Sequence, residues 1–411
     1  MRALRRILYP LRLLPGSSKS FGPPRGIYTT VEQVPILTLA GNLLPGAEKT
    51  VLLPERKGLR TLPVTNSDRV TAKFQRCLKY TVPEANVARL RHARFFGGGF
   101  GLIITHDDRI LLPYSPLWRE GSPQFHNGFV YPLLPRVQQV EKAVVVVTRR
   151  AGDNYAHWIR DHLARFWSLR EARVDLSDAV LLIPFEGRQY QQATLALLSR
   201  TFGFPESRVM AVSHGTHVEA AEMIVPSLAN PDLNMNVHGH APEQLAFIRN
   251  LVLGADPGMP GPSHGPWRRI FISRAKARRG SAMEARIAVD LEGLGFASIC
   301  LEDYSLVEQA RIFHDAEVVA GLHGSGFANV LFCEPGTKVI ELFPPDYIVT
   351  NFWSMCHDLR LQYFAYCEDE RLVGYQAYGH AQNADFELSP AGVVEFVAQA
   401  AATATGTKPG A

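Results

Sequence analysis

Short, wholly apolar runs alternate with longer amphipathic stretches over most of the chain, and this alternation sets the expected fold class. The run Ala143, Val144, Val145, Val146, Val147 has the length and β-branching of a strand buried on both faces, and residues 155–172 after it read as a helix. Residues 180–184 predict a second buried strand, 191–202 a helix and 223–226 a third strand. Such a rhythm belongs to a parallel sheet covered by helices. Four prolines between 254 and 267 rule out a regular element there, so a linker is expected. The rhythm then resumes with strands at 269–272, 296–301, 318–320 and 338–342, helices at 282–294, 305–315 and from about 325, and a closing helix at 390–402. Before this α/β region, Pro15-Gly16, Gly22-Pro23-Pro24 and Pro45-Gly46 break the pattern. Residues 101–105 and 109–112 flank Asp107-Asp108 as a hairpin. The expected organisation is an extended arm with few regular elements at 1–84, an α/β lobe at 85–253, the linker at 254–267 and a second α/β lobe at 268–411. Both lobes are expected to be doubly wound and Rossmann-like.

Composition narrows the function classes. With 411 residues, 46% hydrophobic and 20% charged, the chain is long and apolar enough for two globular domains. The net charge of +4 is spread among alternating acids and bases, which disfavours nucleic acid as a partner. The first 25 residues differ: Arg2, Arg5, Arg6, Arg12, Lys19 and Arg25 occur with no acidic residue between them. With Leu4, Ile7, Leu8 and Leu11 at helical spacing, this arm suits either peripheral contact with an anionic membrane or a solvated tail. Arg5, Arg6, Pro10 and Arg12 interrupt any export signal, and no window approaches the roughly 18 apolar residues of a membrane span. Five scattered cysteines lack the paired spacing of a zinc site and read as reduced core residues. A cytoplasmic protein is expected, with the inner membrane face as the place of any peripheral contact.

Candidate chemistry gathers at three places. Val318-Val319-Ala320 runs into Gly321-Leu322-His323-Gly324-Ser325-Gly326, with Asn329 in the helix that follows; glycines and helix-opening amides at such a junction favour a pyrophosphate. The next strand carries Glu341 near its carboxyl end, where ligands of open α/β sheets lie and where ribose hydroxyls need an acceptor. Ser273 and Arg274 end the strand at 269–272, and arginine is suited to bidentate phosphate binding. In the first lobe, Asn154, His157 and Asp161 stand at helical spacings of three and four, on one side of a helix start. Two readings fit them: an acceptor-side base, or a helix cap beside a structural pair. No Asp-x-Asp motif stands at a strand end, so no metal ion is required and no cofactor is expected.

These motifs, in this order, resemble glycosyltransferase family 61. His323-Gly324-Ser325-Gly326 with Asn329, Phe332, Pro335-Gly336-Thr337 and Val339-Ile340-Glu341-Leu342 is similar to its HGAG signature. Ile272-Ser273-Arg274 with Arg279 resembles the second motif, and the segment from Asn154 to Asp161 the N-terminal one. Ser325 stands where the family usually has alanine, and Met283-Glu284 where it usually has Asn-Glu. The resemblance implies a GT-B fold with two lobes facing a cleft and inverting transfer of a hexosyl, N-acetylhexosaminyl or pentosyl group, typically from a UDP-sugar. The acceptor would be a hydroxyl of a glycan or glycolipid in cell-surface polysaccharide assembly. Ser273, Arg274, Arg279, His323, Gly324, Ser325, Gly326, Asn329 and Glu341 would hold the donor, and His157, Asp161 and Asn154 would serve catalysis. The competing reading is a non-catalytic sugar-nucleotide-binding subunit of such an assembly, to which Met283 lends support. A nicotinamide enzyme fits less well, because Gly324 and Gly326 do not complete G-x-G-x-x-G.

Overall fold

The computed structural model describes residues 24–98, 101–115, 127–131, 133–148, 154–228, 238–255, 266–276, 282–344, 347–368 and 388–403. The chain divides into two compact α/β units, Met1–Arg56 with Pro83–Asn234, and Lys57–Val82 with Met235–Ala411. This division differs from the one drawn from the sequence at both ends. The helix Pro242–Leu253, not among the elements expected from the sequence and with its residues assigned there to the first lobe, belongs to the second unit, where it packs against the helix Leu306–Asp315. Residues 57–82 also belong there. Val64–Thr65 pairs in parallel with Gln362–Cys367, and the helix Asp68–Gln75 buries Phe74 edge-on to Trp353, with ring centroids 5.1 Å apart. The expected near-absence of regular elements before residue 85 is thus corrected for the described residues. Short strands between the Pro-Gly breaks, such as Ala47–Leu53, gain their order from distant partners.

The first unit is built on a ten-stranded sheet. Its main order is Gly26–Tyr28, Arg109–Leu111, Leu102–Ile104, Ala85–Phe96, His217–Pro226, Val144–Val146, Val180–Ile183 and Val209–Ala211. The hairpin around Asp107-Asp108 is present, with Ile110 opposite Ile104. Only the last four of these strands form the expected parallel layer; Ala85–Phe96 runs antiparallel to His217–Pro226 along its length. The sheet is therefore mixed, not the parallel one expected. Chain order moves outward from Val144–Val146 through Val180–Ile183 to Val209–Ala211, then returns to the opposite side with His217–Pro226. That reversal is a topological switch point, where an open α/β sheet leaves a crevice outside its strand ends.

The second unit carries a six-stranded, wholly parallel sheet in the order Ala297–Cys300, Arg269–Ser273, Val318–Leu322, Lys338–Phe343, Gln362–Cys367, Val64–Thr65. Val318–Leu322 and Lys338–Phe343 are buried at every position, as central strands covered on both faces must be. Ser305 opens the helix Leu306–Asp315 with a capping box: its Oγ accepts from Glu308 N–H at 3.3 Å, and Glu308 Oε2 accepts from Ser305 N–H at 2.7 Å. Strand order reverses between Arg269–Ser273 and Val318–Leu322, which makes this the second switch point. All five cysteines are free, and four are buried. No helix among the described residues is long and apolar enough to cross a membrane.

Candidate active site

In the first unit, the helix after Val144–Val146 is tied to the strand ends at the switch point. His162 Nδ1 lies 3.0 Å from the Val147 carbonyl, and Arg165 donates to the carbonyls of Thr148 at 3.0 Å and Pro226 at 2.5 Å. Those carbonyls end the two strands that flank the reversal, so Arg165, 1% exposed, bridges the floor of the crevice. Helical residues Tyr155–His157 pass into a π-helical segment, Trp158–Leu163, before α-helix resumes at Ala164–Glu171. Single π turns of this kind are frequent at functional sites because they re-aim one side chain relative to the next.

That segment sets up a histidine–carboxylate pair. His157 Nδ1 stands 2.6 Å from Asp161 Oδ2, while Arg160 Nε donates to Asp161 Oδ1 at 2.9 Å. A carboxylate only accepts, so the bond fixes the proton on Nδ1 and leaves Nε2 of neutral His157 as an acceptor. The His157 side chain is 26% exposed and that of Asp161 is 3% exposed. Asn154 caps the helix, its Oδ1 accepting from Ala156 N–H at 3.0 Å and His157 N–H at 3.3 Å. The cap at Asn154 and the pairing of His157 with Asp161 are thus both observed, and of the pair His157 is the partly exposed member.

In the second unit, Ser273, Arg274, His323 and Gly324 stand at the ends of the two strands that flank the other switch point. Arg274 follows the first strand and donates from Nη1 to the His323 carbonyl at 2.9 Å, while a β-carbon at Gly324 would lie 3.7 Å from Arg274 Cζ. Residues Ser325–Phe332 form a 3₁₀ helix where the sequence predicts a helix from about 325, and its first backbone bond runs from Phe327 N–H to the Gly324 carbonyl at 3.1 Å. Such a helix opens with amides that have no intrahelical acceptor. Gly324 and Ser325, half-buried and exposed respectively, present this edge. Gly326 has a different use, since a β-carbon there would meet Leu301 Cδ1 at 2.7 Å.

His323 is held through Nδ1 by Glu341 Oε1 at 2.5 Å, and the other Glu341 oxygen accepts from the Tyr363 hydroxyl. Phe343 stacks on the imidazole at 5.3 Å between centroids, with Tyr347 edge-on at 5.4 Å. Glu341, expected at a ribose, is 0% exposed, with one oxygen on His323 and the other on the Tyr363 hydroxyl. Asn329, also 0% exposed, donates to Gln309 Oε1 at 2.9 Å and supports the loop from below. Ser273 Oγ donates to Glu284 Oε1 at 2.9 Å. Arg279 and most of the expected linker lie outside the described residues.

Residues 155–340 match the Glycosyltransferase 61 family model, a span holding both switch-point groups except Asn154 and Glu341. This segment belongs to glycosyltransferase family 61. A beta-1,2-xylosyltransferase of Oryza sativa subsp. japonica, XAX1, is 32% identical over 128 residues, which are 30% of this chain and 21% of that relative. The chain therefore spans about a fifth of the length of the curated relative it matches. Where the glycosyltransferase 61 pattern has asparagine, the partly buried Met283 packs against the apolar cluster containing Phe271 and Ile287. Glu284 and Tyr363, which no motif spacing singles out, hold Ser273 with Arg274 and Glu341 respectively.

His162 adds a pH signature to this glycosyltransferase 61 segment. Complete burial, partly opposed by Asp161, pushes its imidazole down to about 3. The unfolded chain takes up a proton below about 6.5 whereas the native one stays neutral to about 3, so stability is full above 6.5 and falls as pH drops from there. Each unit of that fall removes up to about 1.4 kcal/mol. Urea unfolding at pH 7.5 and 5.0 is expected to give a pH loss about 2 kcal/mol smaller for His162→Asn than for the wild type. Equal losses in both proteins refute this origin.

Proposed function

We propose that the protein is an inverting glycosyltransferase that moves a sugar from a nucleotide donor to a hydroxyl acceptor. The observation that carries the reading is Arg274, fixed by the His323 carbonyl beside Gly324 where the second sheet reverses. A guanidinium, opening amides and an oriented imidazole converge there on a place suited to a diphosphate. They stabilise the leaving nucleoside diphosphate without a metal ion. On the first unit, His157 Nε2 takes the acceptor proton as the hydroxyl oxygen bonds to the anomeric carbon and the bond to the diphosphate oxygen breaks.

A GT-B arrangement, UDP as the nucleotide, a glycan or glycolipid acceptor in cell-surface polysaccharide assembly, and cytoplasmic placement with the basic arm at the membrane are further parts of this proposal. The family motifs support them. The name of the rice relative puts UDP-xylose first among donors to try. Arg274→Ala is expected to weaken UDP binding about 10- to 100-fold by calorimetry, the loss of one strong charge-assisted contact. Wild-type protein that binds no nucleotide diphosphate, or a variant that binds as tightly, defeats the assignment.

A further inference from the structure

Two tyrosine rings stand at the carboxyl edge of the first unit's parallel strands. Val144–Val146 and its neighbour Val180–Ile183 each lead into a helix, the first opening at Tyr155 and the second being Gln189–Phe202. Tyr155 and Tyr190, from the opening turns of these helices, meet edge to face with ring centroids 5.1 Å apart. Trp158, 1% exposed, packs 6.3 Å from the Tyr190 ring and donates from Nε1 to Thr194 Oγ1 at 2.9 Å, which ties the two helices together. Gln191, 0% exposed, staples the loop before its helix: Oε1 accepts from Glu186 N–H at 2.9 Å and Arg188 N–H at 3.1 Å, and Nε2 donates to the Pro184 carbonyl at 3.1 Å. The two tyrosines themselves are only half-buried. A fixed pair of rings thus keeps accessible surface at the ends of parallel strands, where ligands of open α/β sheets lie.

We infer that Tyr155 and Tyr190 form a stacking subsite for a pyranose of the acceptor, next to the sugar whose hydroxyl meets His157. This rests on the transferase reading above and narrows the acceptor to an oligosaccharide or longer glycan. Tyr155 and His157 are two residues apart on one helix, so their side chains leave its axis about 200° apart. A helix with its side chains is about 10–12 Å across, more than one pyranose spans. The ring on the tyrosines is therefore a different sugar from the one being glycosylated. A pyranose presents C–H groups on its flat face, and these carry slight positive charge that suits the negative face of an aromatic ring. Its hydroxyls lie at the rim, where the polar end of a tyrosine is compatible with them. The side chains suited to a diphosphate, Arg274 and His323, belong to the second unit, which leaves these rings to the acceptor. Rings already locked by Trp158 and Gln191 lose little freedom on binding.

Binding of the full-length protein, in the presence of UDP, to an array of immobilised neutral pyranose oligosaccharides and their monosaccharides tests the inference. Wild type is expected to be captured by at least one oligosaccharide series, and about 10-fold more weakly by the single sugar of that series. Tyr190→Ala and Tyr155→Ala are each expected to weaken capture about 10-fold, whereas Tyr190→Phe, which keeps the ring, retains most of it. Melting temperatures check the fold of every variant, and the dependence of wild-type capture on glycan length stands even if an alanine variant does not fold. Equal capture by monosaccharide and oligosaccharide, folded alanine variants captured like the wild type, or a wild type that binds UDP in solution yet no glycan on the array each overturn the subsite and leave the transferase reading in place. Wild type that binds neither glycan nor UDP overturns both.

Discussion

Replacing His157 by glutamine is expected to lower sugar transfer by about 100- to 10,000-fold, the usual worth of a positioned general base, while UDP binds as before. The prediction separates His157 from its neighbours. Asp161 has the charge of a base but not the freedom: it is 3% exposed, with one oxygen on His157 and the other on Arg160. Asp161→Asn is expected to impair turnover through the histidine. The amide oxygen would stay with the Arg160 donor, turning its NH₂ toward His157 Nδ1, and the imidazole would then carry its proton on Nε2, where no acceptor hydroxyl can be deprotonated. Both variants should therefore titrate with UDP like the wild type and fail in acceptor-dependent release of UDP. Transfer that survives His157→Gln at the wild-type rate removes this residue from the chemistry, and loss of UDP binding in that variant would place it on the donor side.

How much of this was legible in the sequence follows from the range of the interactions. The closing helix Pro390–Ala402 was read with its observed bounds because Pro390 can stand at its start and its apolar positions repeat with a helical period. Central strands such as Lys338–Phe343 were legible because burial on both faces leaves little but apolar residues. Ala85–Phe96 was not, since Arg89, Arg91 and Arg94 interrupt its apolar positions; only the folded register supplies Glu222 to Arg89 at 2.8 Å and Asp108 to Arg94. The site divides in the same way. His157 and Asp161 are four residues apart on one helix, so their pairing could be read from spacing. The link from His323 through Glu341 to Tyr363 crosses neighbouring parallel strands, with Glu341 opposite Gly321 on one side and Ala365 on the other. No local pattern encodes that register, so the bonds of Glu341 to His323 and Tyr363 are not legible in the sequence.

That crossed link carries the largest expected effect on stability. Glu341→Ala is expected to cost about 3 to 5 kcal/mol in urea unfolding, the range for breaking a buried polar pair by removing one member. The loss has two parts. The Tyr363 hydroxyl, whose ionisation is pushed well above the ordinary tyrosine range by burial first and by Glu341 second, would be left with no acceptor in a dry site. His323 Nδ1 would lose its partner too, freeing the imidazole to turn within its aromatic surroundings of Phe343, Tyr347 and Phe352. Glu341→Gln should cost less, about 1 to 3 kcal/mol, because its amide oxygen can still accept from Tyr363. Its NH₂ would then face His323 Nδ1 and move the imidazole proton to Nε2, while the ring stays held in place by the amide. UDP affinity should accordingly fall further in Glu341→Ala than in Glu341→Gln if Glu341 works through His323. A reversed order, or an alanine variant as stable as the wild type, would mean that the carboxylate neither anchors this strand pair nor aims the histidine.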